Sequence, residues 1–338
     1  MKKYILIALF AAVAGIGYSV FVYGPRVVQQ EARIYHIGVL MRGSGYDVAL
    51  EGYKSRMKEL GYEEGKNLVY DIKYVSTPEE IRLAVREFVA KNVDLIHVYS
   101  TPATKVAYEE TKNLARPIPV VFGSMGDPLI AGVIKDIQRP GTNVTGVASL
   151  STELTIKRLE LLRQINPRIK KVAMPHTAQE AGDAAAIKSV QLAQKRANEI
   201  GVELTLYSIR TKAENETVAK RITRSNTEGI IVGGDSLIWG SIDLYIAQAK
   251  SEKIPFAVFD LSQVEKGGLI GFGPDYRLVG EQSADITHQI LRGSDPAEIS
   301  IEVPKKLLLM LNMDTARQIG VTFSPELLKA ADVIIGEK

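Results

Sequence analysis

From residue 34 onward, short apolar runs alternate with longer stretches in which apolar residues recur at helical spacing. Short apolar runs bounded by turn residues predict buried strands, and the longer periodic stretches predict amphipathic helices. Strands that alternate with helices are typical of a parallel sheet covered by helices on both faces. The first part of the chain therefore predicts an α/β lobe, with strands at 34–41, 68–75, 93–99, 118–122 and 144–147 and helices at 46–60, from 77, and at 104–114.

The same alternation starts again after residue 147, which predicts a second lobe of the same kind joined to the first near residues 148–151. The chain from residue 269 does not add a third lobe, but it is long enough to pass back to the first lobe and return to the second. The elements predicted beyond residue 147 are helices at 152–165, 183–200, 214–224, 241–252, 276–292 and from 325, and strands at 171–174, 203–209, 229–232, 255–259, 269–272 and 301–312.

The N-terminus departs from this pattern. Lys2 and Lys3 precede residues 4–23, which carry no charge, and a positive start before an apolar run is typical of an export signal. These twenty residues also suffice to span a bilayer as a helix. The segment at 12–14, Ala-Val-Ala, would permit cleavage, but the apolar run continues to residue 23, which favours an uncleaved anchor. In both cases the positive-inside rule predicts that the rest lies outside the cytoplasm, in the periplasm or on the outer face of the cell membrane.

Composition narrows the chemistry that the folded part can carry. The 338 residues include no cysteine, which excludes disulfides, thiolate metal sites, a cysteine nucleophile and a lipid anchor on cysteine. Lys and Arg number 42 against 39 Asp and Glu, so no basic excess favours nucleic acid as a partner. The length suits two domains of about 150 residues each. These facts favour an exported protein that handles small molecules.

The sequence carries no recognisable nucleotide-binding or catalytic motif. It lacks G-x-G-x-x-G and G-x-x-x-x-G-K-[ST], and the Gly-Tyr-Glu-Glu-Gly-Lys segment at 61–66 is one residue short of the second pattern. Residues 233–237, Gly-Gly-Asp-Ser-Leu, have the wrong spacing for a nucleophile elbow. The four histidines are scattered and have no metal-ligand spacing. We therefore expect a protein that is not an enzyme and that uses no cofactor or metal.

The strongest candidate chemistry lies where the predicted strands end. In open parallel sheets, ligands bind at the carboxyl ends of the strands, where loops and helix N-termini converge. Hydroxyl and helix-start N–H groups suit a carboxylate, an aspartate suits an ammonium group, and a tyrosine ring supplies an apolar wall. Each position also has a plainer interpretation, because serine, threonine and aspartate cap helices and form turns. The candidate ligand-binding residues are Ser44, Tyr46, Ser100, Thr101, Ser124, Asp127, Ser149, His176, Asp235 and Asp260.

Several motifs of the chain are shared with one family. The two longest are Gly-Asp-Pro-Leu-Ile-Ala-Gly at 126–132 and Arg-Pro-Gly-Thr-Asn-Val-Thr-Gly-Val at 139–147. On these motifs the chain resembles the ABC-transporter substrate-binding proteins of the type 1 periplasmic-binding fold, the family that includes tryptophan- and tyrosine-binding members. The other matching segments lie at 61–67, 157–162, 273–277, 312–316 and 319–321.

The resemblance implies two Rossmann-like lobes with parallel sheets, joined by three crossover strands. The N-terminal apolar helix that the sequence itself predicts would precede them. The crossovers are expected near residues 148–151, 271–275 and 295–300. The implied division is a signal or anchor segment with its linker at 1–33, lobe 1 at 34–148 plus 275–296, and lobe 2 at 149–274 plus 297–338.

The resemblance also implies a function. The two lobes would close by hinge motion on a small molecule, an amino acid and often an aromatic one, and deliver it to an ABC permease and through it to an ATPase. The N-terminal segment would attach the protein to the membrane. The alternative is a membrane-anchored ligand sensor that uses the same fold, and an enzyme ranks third because no nucleophile, base or metal site is visible.

Overall fold

Two sheets, one for each predicted lobe, organise the chain from Tyr35 onward, and all but one of their strand pairs are parallel. The structure is a computed structural model that describes residues 33–41, 46–75, 77–178 and 184–336. The predicted N-terminal apolar helix and the candidate residue Ser44 lie outside these residues. Within the described ranges, no helix is both long enough and apolar enough to cross a membrane.

The first sheet has five strands in the order β2-β1-β3-β4-β5, and every neighbouring pair is parallel. Every residue of β3 and β4 is buried, as expected for central strands that helices cover on both faces. Sequence and structure therefore agree on a parallel α/β lobe. The strands are β1 Tyr35–Met41, β2 Leu68–Tyr74, β3 Leu95–Tyr99, β4 Val120–Met125 and β5 Val144–Ala148.

Three helices connect these strands: α1 Asp47–Glu59, α2 Pro78–Ala90 and α3 Thr101–Thr111. The start of α2 is a reciprocal capping pair, in which the Thr77 hydroxyl accepts from the Glu80 N–H and the Glu80 carboxylate accepts from the Thr77 N–H. Helix α3 begins directly after β3, three residues earlier than the sequence predicts. The first turn of α3 therefore lies at the carboxyl edge of the sheet.

The second sheet has seven strands in the order β12-β11-β10-β9-β8-β6-β7. Its pairs are parallel except for β10 with β11, which is antiparallel. The strands are β6 Lys171–Thr177, β7 Glu203–Ile209, β8 Gly229–Ile231, β9 Phe256–Val258, β10 Ile270–Pro274, β11 Leu307–Asn312 and β12 Val333–Ile335. The helices are α4 Leu154–Ile165, α5 Ala184–Glu199, α6 Glu214–Arg221, α7 Ser236–Trp239, α8 Ile242–Ser251, α9 Leu261–Glu265, α10 Tyr276–Leu291, α11 Met313–Ile319 and α12 Pro325–Ala330.

The chain passes between the two sheets three times, first after β5 and again between β10 and α10. The third crossing lies later than the expected 295–300. The Ile301 N–H donates to the carbonyl of Ile137 and the Glu302 N–H to the carbonyl of Gly146, so this segment still pairs with the first lobe. The chain leaves for β11 only at 303–306, because residues 299–302 first pair beside β5.

Helix α10 belongs to the first lobe although it follows most of the second lobe in sequence. It packs on α1, and the two backbones approach closely at glycines. A Cβ built on Gly280 would overlap the carbonyl oxygen of Ala49, so no larger residue fits this crossing without moving the helices. Between the same helices, the buried Tyr53 hydroxyl donates to Thr287 Oγ1 at 3.2 Å.

Candidate functional site

A cavity lies between the two lobes at the carboxyl ends of their strands, with about 560 Å³ of space free of protein atoms, including the part open to solvent. Parallel sheets expose loops and helix starts at this edge, which makes it the expected ligand position. The lining comes from both lobes and from the first crossing. It comprises Tyr46, Ser100, Thr101, Pro102, Ser124, Met125, Gly126, Ser149, Ser151, Ala185, Val232, Gly233, Gly234, Asp235, Ile238, Trp239, Ile242, Phe259 and Gln263.

Aromatic rings from both lobes meet at this cavity. The Tyr46 ring, buried at the start of α1, stacks on Tyr99 with centroids 5.3 Å apart and planes at 25°. Tyr46 also meets Trp239 of the second lobe, with ring centroids 4.9 Å apart. Trp239 in turn meets Phe259 edge-on at 5.5 Å, and Tyr276 lies edge-on to Tyr46 at 5.6 Å. Of these rings, Tyr46, Trp239 and Phe259 line the cavity, so its wall carries aromatic rings from both lobes.

The first lobe and the first crossing also contribute hydroxyl groups, three of which have identified partners. Thr101 Oγ1 accepts from the Gly126 N–H at 3.3 Å, which ties the start of α3 to the end of β4. Ser124 Oγ lies 3.4 Å from the Tyr276 hydroxyl, and Ser149 Oγ donates to the Met125 carbonyl at 3.2 Å. The hydroxyl of Ser100 differs, because it is buried and has no hydrogen-bond partner among the described residues.

Asp235 supplies the one acidic side chain among the described residues that line the cavity. Its carboxylate accepts from the Thr177 N–H at 2.6 Å and from the Thr177 hydroxyl at 2.8 Å. It also accepts from the N–H groups of Leu237 and Ile238, which caps α7. The sequence allowed Asp235 to be either a ligand-binding residue or a helix cap. In the structure it caps α7 and also lines the cleft.

Three candidate residues do not line the cavity. Asp127 accepts from the Ile130 N–H at 3.0 Å and so caps a local turn. The ring of His176 contacts the neighbouring carbonyl of Thr177 through Nδ1 at 2.9 Å. Asp260 is the buried N-cap of α9, and burial raises the pKa of its carboxyl. The carboxylates of Asp127 and Asp260 therefore accept hydrogen bonds from nearby backbone N–H groups and do not line the cleft.

Arg158 is the principal residue that sequence reasoning missed. Its side chain is fully buried, and burial lowers the pKa of its guanidinium to about 9. The guanidinium donates to the carbonyls of Val232 at 2.6 Å and Ser151 at 3.3 Å, and it lies 4.6 Å from the centre of the Phe259 ring. The sequence did contain an indication that Arg158 is buried. Position 158 falls on the face of α4 that also buries Leu154 and Leu162.

Neither Trp239 nor Phe259 was among the candidates, and both line the cavity. Trp239 and Phe259 are each a single aromatic residue in a short apolar segment. The hydrophobic pattern of the sequence therefore did not distinguish them from residues of the hydrophobic core. The candidates that the structure brings together at the cavity are Tyr46, Ser100, Thr101, Ser124, Ser149 and Asp235. Across the described part of the chain, no group of three His, Asp or Glu side chains is placed to hold a metal ion.

Known proteins resemble this chain over most of its length. A "Tyrosine-binding protein" of Clostridioides difficile (strain R20291) is 26% identical over 288 residues, which cover 84% of this chain and 80% of the relative. An ABC domain from Streptococcus pneumoniae in complex with L-Trp has a TM-score of 0.81 at 23% identity, covering 89% of this chain and 100% of that one.

A conserved domain protein of Vibrio cholerae O1 biovar El Tor strain N16961 also superposes with a TM-score of 0.81, at 28% identity and with coverage of 90% and 99%. The family model described as "ABC transporter substrate binding protein" matches residues 36–335, which confirms the resemblance seen in the sequence. This is a family of substrate-binding proteins and not of enzymes, as the sequence predicts. The chain belongs to the ABC transporter substrate-binding protein family.

Proposed function

We propose that this protein is the extracytoplasmic substrate-binding component of an ABC importer and binds an aromatic amino acid in the cleft between its lobes. One observation carries the proposal: Tyr46 of the first lobe and Trp239 of the second meet ring to ring at 4.9 Å beside hydroxyl-lined helix starts. Aromatic rings prefer offset-stacked and edge-on neighbours, worth about 0.5–1.5 kcal/mol per pair beyond their buried area. The aromatic ring of a ligand could make both stacked and edge-on contacts with the rings of this cleft.

The relatives support the same ligand class. The Clostridioides difficile relative is named for tyrosine, and the Streptococcus pneumoniae structure holds L-Trp. The cleft of this chain offers what both ligands need, an aromatic wall for the ring and polar groups for the amino acid end. A sugar needs many side-chain amide and carboxylate partners, whereas Asp235 and Gln263 are the only such side chains among the described lining residues.

Binding is expected to close the lobes about the three crossings. Hinge closure around a ligand needs a few segments that absorb backbone rotation while the lobes move as bodies. The crossings after β5, at Asp275 and at 303–306 are short enough for this role. Closure would bring Trp239 and Phe259 over a ligand already held against Tyr46, and opening at the permease would release it.

The transport role is part of the proposal. We infer that the closed protein presents its ligand to an ABC permease driven by an ATPase, and that the N-terminal segment at 4–23 directs export and attaches the protein to the membrane. A ligand sensor would bind in the same cleft, and no observation on the site favours it. Uptake by membrane vesicles that contain the permease separates transport from sensing.

The direct test is a thermal-shift and calorimetric screen against the twenty amino acids, ribose and maltose. We expect tryptophan, tyrosine or phenylalanine to raise the melting temperature, because a ligand at a hundred times its Kd stabilises by about 2.7 kcal/mol. Mass spectrometry of small molecules released from gently purified, then denatured protein should identify the same compound. Binding of a sugar, or of no aromatic amino acid, would contradict the proposal.

A further inference from the structure

The strand β2 ends the five-stranded sheet, and within the described residues its outer edge has no partner strand. Directly after β2, the Val75 N–H donates to the carbonyl of Met41 in β1. Alternate residues of a strand direct their backbone groups to opposite edges, so the odd-numbered residues of this segment face β1. The residues whose N–H and C=O groups face outward, free for another strand, are Tyr70, Ile72 and Tyr74.

The sequence of this strand is nearly a palindrome. Residues 69–75 are Val-Tyr-Asp-Ile-Lys-Tyr-Val, in which only the aspartate and the lysine differ between the two directions. If two copies met in an antiparallel pair centred on Ile72, valine would lie opposite valine and tyrosine opposite tyrosine. Asp71 of each copy would lie opposite Lys73 of the other. The segment is therefore complementary to itself under a two-fold rotation.

Hydrogen bonding and charge both favour this centred register. It places outward-facing residues opposite each other, which an antiparallel pair needs for its N–H···O bonds. Asp71 and Lys73 then occupy the pairs without hydrogen bonds, where Cα atoms about 4.5 Å apart bring side chains closest. A shift by two residues puts Asp71 opposite Asp71 in one direction and Lys73 opposite Lys73 in the other. Like charges that face each other destabilise a sheet, so the charges select the centred register.

The charges on the α2 face of the strand are balanced. The Asp71 carboxylate lies 2.6 Å from Lys91 Nζ, and Lys73 Nζ lies 2.9 Å from the Glu87 carboxylate. Further contacts join these two acids and two bases into one network. A lysine on an edge strand ordinarily prevents pairing, because a partner strand would bury its charge. In the centred register Lys73 meets a carboxylate of the second copy instead.

The α1 face of the same strand carries two tyrosines that the second copy would pair. The Tyr74 side chain is 61% exposed. The buried hydroxyl of Tyr70 has no hydrogen-bond partner among the described residues. The centred register places Tyr74 of each copy beside Tyr70 of the other, and aromatic pairs across neighbouring strands stabilise a sheet.

We propose that two copies of this protein associate through β2, in an antiparallel pair centred on Ile72 that joins their five-stranded sheets into one. One strand pair makes a small interface, so the dimer is expected to be weak, with a Kd on the order of 100 µM. The proposal depends neither on the ligand nor on the transport role.

Sedimentation of the full chain in a mild detergent, at about 5 to 500 µM, should show a dimer that grows with concentration. Asp71→Lys and Lys73→Asp each put like charges opposite one another and should weaken the dimer by about tenfold or more. The variant that carries both changes has its charges exchanged and should dimerise like the wild type. An equal mixture of the two single variants should also associate, because each carries the charges that the other needs.

A proline tests the backbone pairing. Tyr74→Pro removes an outward-facing N–H, a change that edge strands tolerate, and should weaken the dimer because both outer residue pairs lose a hydrogen bond. The matched control is Ser208→Pro in β7, the end strand of the seven-stranded sheet. The Glu203 N–H donates to the Lys170 carbonyl, so the even-numbered residues of β7, Ser208 among them, face outward in the same way. Ser208→Pro should leave the dimer unchanged, and thermal unfolding verifies that both variants are folded.

Three results would overturn the proposal. The first is a wild-type chain that stays monomeric at every concentration. The second is a dimer that keeps its Kd in Asp71→Lys and in Tyr74→Pro, since it would form through another surface. The third is a mixture of the single variants that associates no better than either variant alone, because the opposed charges would then not meet.

Discussion

The indole ring of Trp239 lies against the phenol ring of Tyr46, with centroids 4.9 Å apart and planes at 54°. Tyr46 starts the first helix of one lobe and Trp239 ends a short helix of the other. The contact therefore joins the two lobes at the point where a ligand ring is proposed to bind. Since Trp239 is the only tryptophan of the chain, it reports on this contact without interference.

Titration with L-tyrosine or L-phenylalanine should change the fluorescence of Trp239. A ligand ring that enters the cleft must either separate Trp239 from Tyr46 or stack beside them, and both change the surroundings of the indole. The measurement is the emission spectrum and intensity during titration, with L-alanine as the control that fills no ring position. An unchanged spectrum at a concentration that saturates calorimetric binding would show that the ligand lies elsewhere.

Trp239→Ala should weaken binding of an aromatic amino acid by about tenfold or more, because large aromatic anchors carry much of the energy of a binding site. Trp239→Phe keeps a ring at this position and should stay within about threefold of the wild type. The Kd values come from calorimetry. The matched control is Phe272→Ala in β10, which removes a ring of the same lobe outside the cavity and should bind like the wild type.

Arg158 is expected to hold the pocket wall in place. Arg158→Met leaves the buried carbonyl of Val232 without the guanidinium donor and leaves the Ser151 carbonyl only the Thr155 hydroxyl, at a cost of about 2–4 kcal/mol in unfolding free energy. Because Ser151 and Phe259 line the cavity, the Kd should also rise. Arg158→Lys replaces the planar guanidinium, which has several N–H donors, with a single compact ammonium group. It should therefore recover only part of the lost stability and part of the lost affinity.

Urea denaturation and calorimetry on the same preparations measure the two effects of Arg158. A remote core variant of similar cost, Leu162→Ala in the same helix, provides the comparison. It should lower stability and leave the Kd unchanged. Equal loss of affinity in Leu162→Ala and Arg158→Met would mean that Arg158 only stabilises the lobe.

Buried His97 should make the folded state sensitive to acid. Burial lowers the pKa of His97 from 6.5 to about 3, so the unfolded chain binds a proton between these values while the folded chain does not. Stability from this residue is therefore complete above pH 6.5 and is lost as the pH falls toward 3. Between pH 7 and pH 5 the loss should be about 2 kcal/mol.

Urea unfolding at several pH values isolates this effect. His97→Gln has its own packing cost at every pH, but its unfolding free energy should fall by about 2 kcal/mol less than that of the wild type between pH 7 and pH 5. The control is His36→Gln at an exposed position, which should leave the pH dependence of the unfolding free energy unchanged. If the unfolding free energies of the wild type and His97→Gln fall equally between pH 7 and pH 5, His97 is not the source of the acid sensitivity.

Gly280→Ala should destabilise the first lobe by about 1–3 kcal/mol, because the added methyl group overlaps the Ala49 carbonyl and forces α1 and α10 apart. The better helix propensity of alanine, about 1 kcal/mol, acts against this loss without removing it. The control is Gly201→Ala, which has a φ of 66° but open space around the added Cβ. The control measures the cost of the positive φ alone, about 1–2 kcal/mol, so a Gly280→Ala variant as stable as the wild type would mean that the helix crossing is not as tight as described.

The long elements of the fold were predictable because each repeats its apolar pattern several times. Short elements were not, since α7 with four residues and α9 with five contain too little of a helical period to be seen. At the candidate site, the rule that ligands bind at strand ends selected Ser100 and Asp235, and both line the cavity. It missed Trp239, because one aromatic residue has no periodicity and only the tertiary structure shows which cavity it faces.

The position of α10 in the chain has a consequence for how the molecule forms. The first lobe buries Tyr53 against Thr287, a residue 234 positions later in the sequence. The second lobe likewise receives β11 and β12 from the last part of the chain. During synthesis neither lobe can complete its core until nearly all of the protein has left the ribosome, so the nascent chain stays incompletely folded almost to its end.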